Sequence, residues 1–203
     1  MTEVKKRGNR LFYSHEGREI PIERIYNRVI VDELLRKKVA TGFDFRDELE
    51  VEWAGHPNWY FLLSTVSLPA FDHVSVPQTV LLSEMETLPE NLDEWVLKPL
   101  FSFAGLGVKI NLNKTEVETA RGSPDYVLQR KVDFVPTVET PHGATKVEIR
   151  VMYVWDEPQG SVPNLANCRA MTALLRMGRG KMMGVDHNRD MKWVGASAAF
   201  FLD

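Results

Sequence analysis

The sequence contains very little cysteine. Cys168 is the only one among 203 residues, so the chain can form neither an internal disulfide nor a Cys-x-x-Cys metal site. The first residues also lack the apolar run that follows the basic end of a secretory signal, because charged residues continue through this segment. Both absences are typical of a protein of a reducing compartment, and we expect a cytoplasmic location.

Neither a strong excess of charge nor a long apolar stretch is present. The 28 acidic residues nearly balance the 25 basic ones, for a formal net charge of -3, so the composition does not indicate electrostatic binding of nucleic acid. Residues 53–71 contain no Asp, Glu, Lys or Arg, but prolines and polar side chains interrupt them, and the remaining apolar part is too short to span a bilayer. We therefore expect no membrane segment, and we predict a buried helix over about residues 59–66 followed by an extended proline segment.

Several catalytic motifs are also missing. The five histidines are scattered, and no His-Glu-x-x-His or Gly-x-Ser-x-Gly pattern occurs, which excludes the common signatures of zinc proteases and α/β-hydrolases. The glycines of residues 178–184 resemble a dinucleotide fingerprint, but the last glycine comes one position late. Lys181 is followed by Met rather than Ser or Thr, so this segment also fails as a Walker phosphate loop.

The periodicity of apolar residues predicts a mixture of helices and strands. Apolar side chains at helical spacing predict a helix that begins near Pro21, and Leu34 and Leu35 extend its apolar stripe toward Lys38. Residues 114–121 and 164–176 favour two more helices. Alternating or continuous apolar residues that end at proline, glycine or polar turns predict strands over 95–99, 108–112, 126–129, 146–155, 181–185 and 193–202. This combination is typical of the α+β class.

Residues 98–112 have the pattern of a hairpin that could cover a phosphate group. Lys98 lies at the end of a predicted strand, residues 102–107 form a loop of mainly small residues, and a second strand follows. Gly105 and Gly107 allow positive φ, so backbone N–H groups can surround phosphate oxygens while Lys98 neutralises their charge. The alternative is an ordinary hairpin in which Lys98 protects the edge of a sheet from aggregation.

The order of the motifs in the second half resembles that of the ATP-grasp superfamily. The matching segments are Trp95-Val-Leu-Lys98-Pro, the glycine loop 102–107, residues 126–132, Glu148-Ile-Arg150 and Asp186-His-Asn188. The resemblance covers residues 76–203. Residues 20–75, with Ile25-Tyr-Asn-Arg28, are similar in less detail to the piece that precedes the nucleotide module of glutathione-synthetase-like ligases.

The resemblance implies a fold and an activity. The fold would have antiparallel sheets with packed helices and a glycine-loop hairpin over the nucleotide. It would comprise an N-terminal helical or linker segment (1–75), a lid subdomain (76–140) and a C-terminal subdomain (141–203). The activity would be that of an ATP-dependent carboxylate–amine or carboxylate–thiol ligase with ATP and Mg²⁺ as cofactors. Transfer of the γ-phosphate to a small-molecule carboxylate would give an acyl-phosphate, from which the amine or thiol displaces phosphate.

The resemblance also assigns roles to individual residues. Contacts with ATP are implied for Lys98, Ser102, Phe103, Ala104, Gly105, Leu106, Gly107, Gln129, Arg130 and Val132. Arg150 and Arg176 would bind the γ-phosphate and the acceptor carboxylate. Glu148, Asp186 and Asn188 would coordinate Mg²⁺. Each of these roles has a simpler alternative. Gln129 could be a polar residue on a half-exposed strand, Glu148 and Arg150 could form a surface ion pair, and Asp186 and Asn188 could only favour a turn.

The sequence departs from the family pattern at several points. Gln129 stands where a hinge carboxylate is expected, no second phosphate-binding lysine occurs between residues 53 and 95, and either Asp133 or Glu139 could contact the ribose. The chain is shorter than whole enzymes of the family, so we expect a missing N-terminal substrate domain or a homodimer. The alternative is a non-catalytic module of the same fold that binds a nucleotide or a partner. Nucleic acid binding by the cations of residues 166–192 is disfavoured, because no aromatic residues are interleaved with them as a stacking platform requires.

Overall fold

The chain forms two compact units, Met1–Lys131 and Val132–Asp203, the first and second units. The computed structural model describes residues 2–62, 64–102, 105–155, 162, 164–184 and 187–200. In these residues, short helices combine with sheets that are antiparallel except for one pair of strands. This confirms the α+β class, whereas the division at residues 75 and 140 stays a prediction.

The first unit begins with strands, and some of them lie where the sequence predicts a helix. The strands are β1 (Lys5–Arg7), β2 (Arg10–His15), β3 (Arg18–Ile22), β4 (Arg24–Tyr26) and β5 (Glu52–Ala54). The helix predicted from Pro21 is therefore wrong over its first part, and only its end is helical, in α1 (Val31–Arg36), which contains Leu34 and Leu35. The reason is strand pairing: a turn at residues 16–17 brings β3 beside β2, where Ile22 lies opposite the fully buried Leu11.

Residues 53–71 form two short helices instead of one buried helix. Helix α2 covers only Trp59–Leu62, and a 3₁₀ helix follows over Thr65–Ala70 with Pro69 inside it. The predicted burial is wrong, because Trp59 is 48% and Phe61 56% exposed. A helix of one turn packs only one of its sides, so some of its consecutive apolar residues remain at the surface. Among the described helices, none combines the length and the apolar character that a membrane crossing requires.

A second sheet and helix α3 (Lys114–Arg121) form the core of the first unit. Strand β8 (Tyr126–Arg130) lies between β6 (Thr79–Leu81) and β7 (Trp95–Pro99), antiparallel to both. The buried residues of this core are Leu82, Trp95, Leu97, Leu112, Val117 and Leu128. These elements confirm the strands predicted at 95–99 and 126–129 and the helix predicted at 114–121.

Local interactions explain why α3 begins where the sequence predicts. The Asn113 side-chain oxygen accepts the N–H of Glu116 at 2.8 Å, and its amide donates to the Glu116 carboxylate at 2.7 Å. This reciprocal pair satisfies polar groups that the first turn would otherwise leave unpaired. Of the strand predicted at 108–112, only the bridged residue Lys109 is observed.

The second unit contains a three-stranded antiparallel sheet in the order β11-β10-β9. Its strands are β9 (Lys146–Trp155), β10 (Cys168–Gly178) and β11 (Gly195–Ala199). The helix predicted over 164–176 is wrong beyond a 3₁₀ turn at Leu165–Asn167, because β10 pairs with β9 from Cys168 to Gly178, with one register shift between Ala170 and Thr172. Pairing with a neighbouring strand outweighs the helix propensity of its Ala, Leu, Met and Arg residues.

The end of the second unit follows the prediction only in part. Strand β11 confirms the middle of the strand predicted at 193–202. Residues 181–184 form bends rather than the predicted strand. Val185 and Asp186 lie outside the described residues, as do Phe103 and Ala104 of the glycine loop.

Candidate functional site

A chain of hydrogen bonds connects all three strands of the β6-β8-β7 sheet. The Lys98 ammonium on β7 donates to the side-chain oxygen of Gln129 on β8 at 2.5 Å. The Gln129 amide donates in turn to the hydroxyl of Thr79 on β6 at 2.7 Å, and this hydroxyl donates to the backbone oxygen of Pro77 at 2.9 Å. One N–H of the Lys98 ammonium is therefore bound to an amide oxygen that is itself held in place by Thr79.

The charge of Lys98 has no counter-ion in the described part of the chain. Its side chain is half-buried, and this burial lowers the pKa of Lys98 below the ordinary value of 10.5. The acceptor that it contacts is the neutral amide of Gln129, which is itself only 6% exposed. A partly desolvated ammonium without a carboxylate partner is a candidate site for an anionic ligand.

The predicted glycine hairpin follows directly after Lys98. Leu97 and Lys109 exchange backbone hydrogen bonds at 2.9 Å in both directions and close the base of the hairpin. At its tip, Gly105 and Gly107 have φ of 80° and 75°, a conformation that favours glycine. A Cβ atom on Gly107 would lie 2.9 Å from the ring of Pro99, so the close return of the chain also requires glycine there.

Aromatic side chains hold the start of the hairpin against helix α2. The ring of Phe101 lies 5.5 Å from that of Phe61 and 6.2 Å from that of Tyr60, measured between centroids. The sequence analysis missed this contact, as well as the role of Thr79. The only signal was the clustering of aromatic residues at 59–61, and no periodicity relates that cluster to a residue about forty positions later.

The other residues of this region that were predicted to contact the nucleotide differ in their partners and in their exposure. Arg130 pairs with the Glu94 carboxylate and lies 5.2 Å above the ring of Trp95. Ser102 is half-buried, Leu106 is exposed, and Val132 is exposed and belongs to the second unit. Lys98 and Gln129 are thus the two predicted nucleotide residues that contact each other through their side chains.

The second unit brings together three further residues of the predicted site. Glu148 on β9 lies opposite Arg176 on β10. One oxygen of the Glu148 carboxylate accepts from Arg150 at 2.5 Å and lies 3.4 Å from Arg176. Arg176 also donates to the backbone oxygen of Met183 at 2.7 Å. This cluster presents two guanidinium groups against one carboxylate, which suits either an anionic ligand or a structural ion pair.

Asn188 has a different environment from the one predicted for a metal ligand. It is buried and lies in a bend rather than on an extended strand. Its side-chain oxygen accepts the N–H groups of Arg179 at 2.9 Å and Gly180 at 2.8 Å. Its amide donates to two further backbone oxygens at 2.9 and 2.8 Å. Asn188 therefore uses its full hydrogen-bonding capacity within one loop.

The glycines that resemble a dinucleotide fingerprint allow the chain to pack closely in the Asn188 loop. A Cβ atom on Gly180 would lie 2.1 Å from the backbone oxygen of His187, and one on Gly178 would lie 2.9 Å from the side chain of Asn188. Both positions therefore require glycine because the chain packs closely around Asn188. In the described part of the chain, no three His, Cys, Asp or Glu side chains lie close enough together to hold a metal ion.

Comparisons with known proteins leave the site to be interpreted from its geometry. No protein-family model matches the chain. No curated protein matches it in sequence. The described residues contain two charged groups of interest: a half-buried lysine at the base of a glycine hairpin, and a carboxylate between two arginines.

Proposed function

We propose that the chain binds ATP, with a phosphate group against Lys98, and forms the ATP-binding part of a carboxylate–amine or carboxylate–thiol ligase. The observation that carries this proposal is the half-buried Lys98 ammonium without a carboxylate partner at the base of the glycine hairpin. A triphosphate supplies the missing negative charge. It would also restore the pKa of Lys98 toward its ordinary value, because an opposite charge favours the ammonium form.

The hairpin geometry supports a phosphate rather than another anion. Two glycines in the left-handed conformation lie in the loop that follows Lys98. Without side chains at these positions, backbone N–H groups can approach oxygens of a bound anion closely. A polyphosphate extends over several such donors at once, whereas a single carboxylate occupies one or two.

The ligase part of the proposal rests on the resemblance, which assigns Arg150 and Arg176 to the γ-phosphate and the acceptor carboxylate. Arg150 and Arg176 offer guanidinium donors that can pair with anionic oxygens in a bidentate manner. Two cations around one carboxylate leave an excess of positive charge for a phosphate or an acceptor carboxylate. In the proposed reaction the γ-phosphate passes to the carboxylate, ADP leaves, and the amine or thiol then displaces phosphate from the acyl-phosphate.

The described residues among the predicted Mg²⁺ ligands do not form a metal site together. Both lone pairs of the Asn188 oxygen already accept backbone N–H groups, and one oxygen of the Glu148 carboxylate is engaged by two arginines. Asp186 lies outside the described residues. We therefore derive no step from a protein-bound metal ion, and Mg²⁺ enters this proposal only as the ion that accompanies ATP.

Titration calorimetry of the full chain with Mg-ATP tests the proposal. We expect Lys98→Ala to weaken binding by about 5- to 150-fold, because a charged hydrogen bond to phosphate contributes about 1–3 kcal/mol. Lys109→Ala is the matched control: this lysine is in the same hairpin but is paired with Glu116 at 2.9 Å, and its loss should change the affinity less than twofold. Equal affinities for Lys98→Ala and the parent, or no binding by the parent, would refute the site.

A measurement of ADP release separates the ligase from a non-catalytic nucleotide-binding module. The full hydrogen bonding of Asn188 favours this second candidate, because it removes one of the predicted metal ligands. With a mixture of amino acids as carboxylate and amine substrates, the ligase should release ADP faster than with ATP alone. Tight binding of Mg-ATP without any such increase would support the non-catalytic module.

A further inference from the structure

The long strand β9 lies at an edge of the sheet of the second unit. It has ten residues and pairs on one side with β10, and in the described residues no strand pairs with its other side. Among the described residues, Val138 and Thr145 form a backbone bridge immediately before the strand begins. A long unprotected edge presents a row of backbone N–H and C=O groups that can pair with a strand of another chain.

The side chains of β9 do not protect this edge. Alternate residues of the strand share one face, and Ile149, Val151 and Tyr153 on that face are 62%, 38% and 57% exposed. The strand also contains no proline and no bulge of its own that would discourage pairing. Such an apolar edge is stabilised when a second strand covers it.

The sequence of β9 is complementary to itself in one antiparallel register. When two copies pair about Ile149, each Ile149 faces its counterpart and each Val147 faces Val151 of the other copy. In the same register Glu148 of each copy faces Arg150 of the other, so two pairs of opposite charges form. The pairing also places Val147, Ile149 and Val151 of both copies on one face, and the charged residues together with Met152 on the other.

Neighbouring registers lack this complementarity. Pairing about Glu148 would place two carboxylates opposite each other, and pairing about Arg150 would do the same with two guanidinium groups. Pairing about Val151 would leave these charges opposite apolar residues. The N–H and C=O groups of Thr145 already bond within the unit, so pairing can begin only at residue 146: the register about Ile149 then pairs residues 146–152, whereas one about Val147 would pair only residues 146–148.

We propose that β9 pairs with β9 of a second copy of this chain, antiparallel and centred on Ile149. The two copies then share one six-stranded sheet in the order β11-β10-β9-β9-β10-β11, with a two-fold axis between the central strands. The partner is argued from the charge pattern of the strand, because an unrelated strand would have no reason to match Glu148 and Arg150.

Disulfide cross-linking tests the register directly. In a Cys168→Ser background, Ile149→Cys would place two thiols opposite each other, with Cα atoms about 4.5–5.5 Å apart, which allows a disulfide. Val151→Cys is the matched control, because its two copies would be offset by four positions, about 13 Å along the strands. Under mild oxidation we expect the Ile149→Cys chain to form at least tenfold more covalent dimer than the Val151→Cys chain.

Light scattering of the full chain, without cysteine substitutions, tests the dimer itself. We expect twice the mass of one chain for the parent, and the mass of one chain for Ile149→Lys, which places two ammonium groups opposite each other. Circular dichroism should confirm that Ile149→Lys remains folded, as expected for an exposed position.

The proposal is overturned by any of three results. If the parent has the mass of one chain at all concentrations, β9 does not pair with a second copy, and a strand of another protein would be the remaining partner. A dimer in which Ile149→Cys fails to cross-link would have a different interface. Equal cross-linking of Ile149→Cys and Val151→Cys would indicate random collision rather than a defined register.

Discussion

The Lys98 site and the Asn188 loop both bury polar groups, but they differ in what those groups still lack. Asn188 makes four hydrogen bonds to the backbone of its own loop. Lys98 makes one bond to a neutral amide and has no counter-ion in the described residues. A buried polar group whose capacity is fully used stabilises structure, whereas one with unused charge is a candidate for ligand binding.

The two regions also differ in how they use glycine. Gly178 and Gly180 lie where side chains would collide with the Asn188 loop, so their small size permits close packing. Gly105 has a positive φ in a loop that begins at the base of the Lys98 hairpin. Glycine near a candidate site is therefore informative only when the structure separates these two uses.

The largest expected effect is that of Asn188→Ala on stability. Loss of this side chain leaves several buried backbone groups without partners, so the free energy of unfolding of the second unit should fall by about 2–4 kcal/mol. Hydrogen exchange should locate the change, because the amides of Arg179 and Gly180 lose their acceptor. The exposed neighbour His187 provides the control, and His187→Ala should leave both amides protected.

The opposite result would reverse the comparison. If Asn188→Ala kept the stability of the apo protein and abolished only the stabilisation by Mg-ATP, Asn188 would be a metal ligand rather than a structural residue. The Asp186→Asn chain should be measured in parallel by thermal unfolding with and without Mg-ATP. It would report on the one predicted ligand that lies outside the described residues.

A smaller effect is expected for Gly105→Val in the hairpin. The branched side chain should weaken Mg-ATP binding by at least tenfold, because it blocks the approach of the backbone to phosphate, and the left-handed φ of 80° adds about 1–2 kcal/mol of strain. Calorimetry and urea unfolding measure the two quantities separately.

Gly17→Val separates strain from ligand contact. Gly17 has a similar φ of 76°, and a Cβ atom there would meet no other atom within 4 Å. This variant should lose comparable stability and keep the affinity for Mg-ATP. A Gly105→Val chain that unfolds while Gly17→Val remains folded would instead identify the hairpin tip as a packed structural turn.

The smallest effect is expected for Lys98→Met in the absence of ligand. Methionine has a similar length and no charge to desolvate, whereas Gln129 loses one donor, so the free energy of unfolding at pH 7 should change by less than about 1 kcal/mol. In the parent, burial disfavours the charged form of Lys98 and lowers its pKa. The resulting decrease in the free energy of unfolding is fully present below the folded-state pKa. It disappears as the pH rises toward 10.5, the ordinary value.

The pH dependence gives this prediction its sign. The stability of Lys98→Met minus that of the parent should decrease as the pH rises from 7 toward 10, and urea unfolding at several pH values measures it. A difference that increases with pH would mean that a negative charge already compensates Lys98 in the free protein. In that case the ammonium would be part of a structural ion pair, and the contrast with Asn188 would disappear.

The accuracy of the sequence analysis varies with the range of the interactions that decide each element. Helix α3 forms where it was predicted, and the pair that caps it, Asn113 and Glu116, is only three residues apart. Strands β4 and β10 lie in segments that were predicted as helices, since their apolar spacing fits a helix as well as a strand. Their actual form depends on a neighbouring strand whose pairing leaves no local pattern.

The same limit applies to the candidate site. Lys98 and Gln129 were both predicted to lie near a nucleotide, but their mutual contact joins residues 31 positions apart. The hydrogen bond from Gln129 to Thr79 joins residues 50 positions apart, and no sequence pattern indicated it. For Asn188 the residue type suggested a turn or a ligand, and only the packed loop decided between them.

The sequence by itself determined the features that depend on a few consecutive residues. These include the α+β composition, the strand that ends at Lys98, the glycines of the hairpin and the beginning of α3, because φ preferences and capping act within one turn of the chain. The tertiary structure alone decided which strands pair, how deeply Lys98 is buried and which hydrogen bonds Asn188 makes. Burial and strand pairing depend on groups distant in sequence, and the free energy of a polar or charged side chain is set by those neighbours.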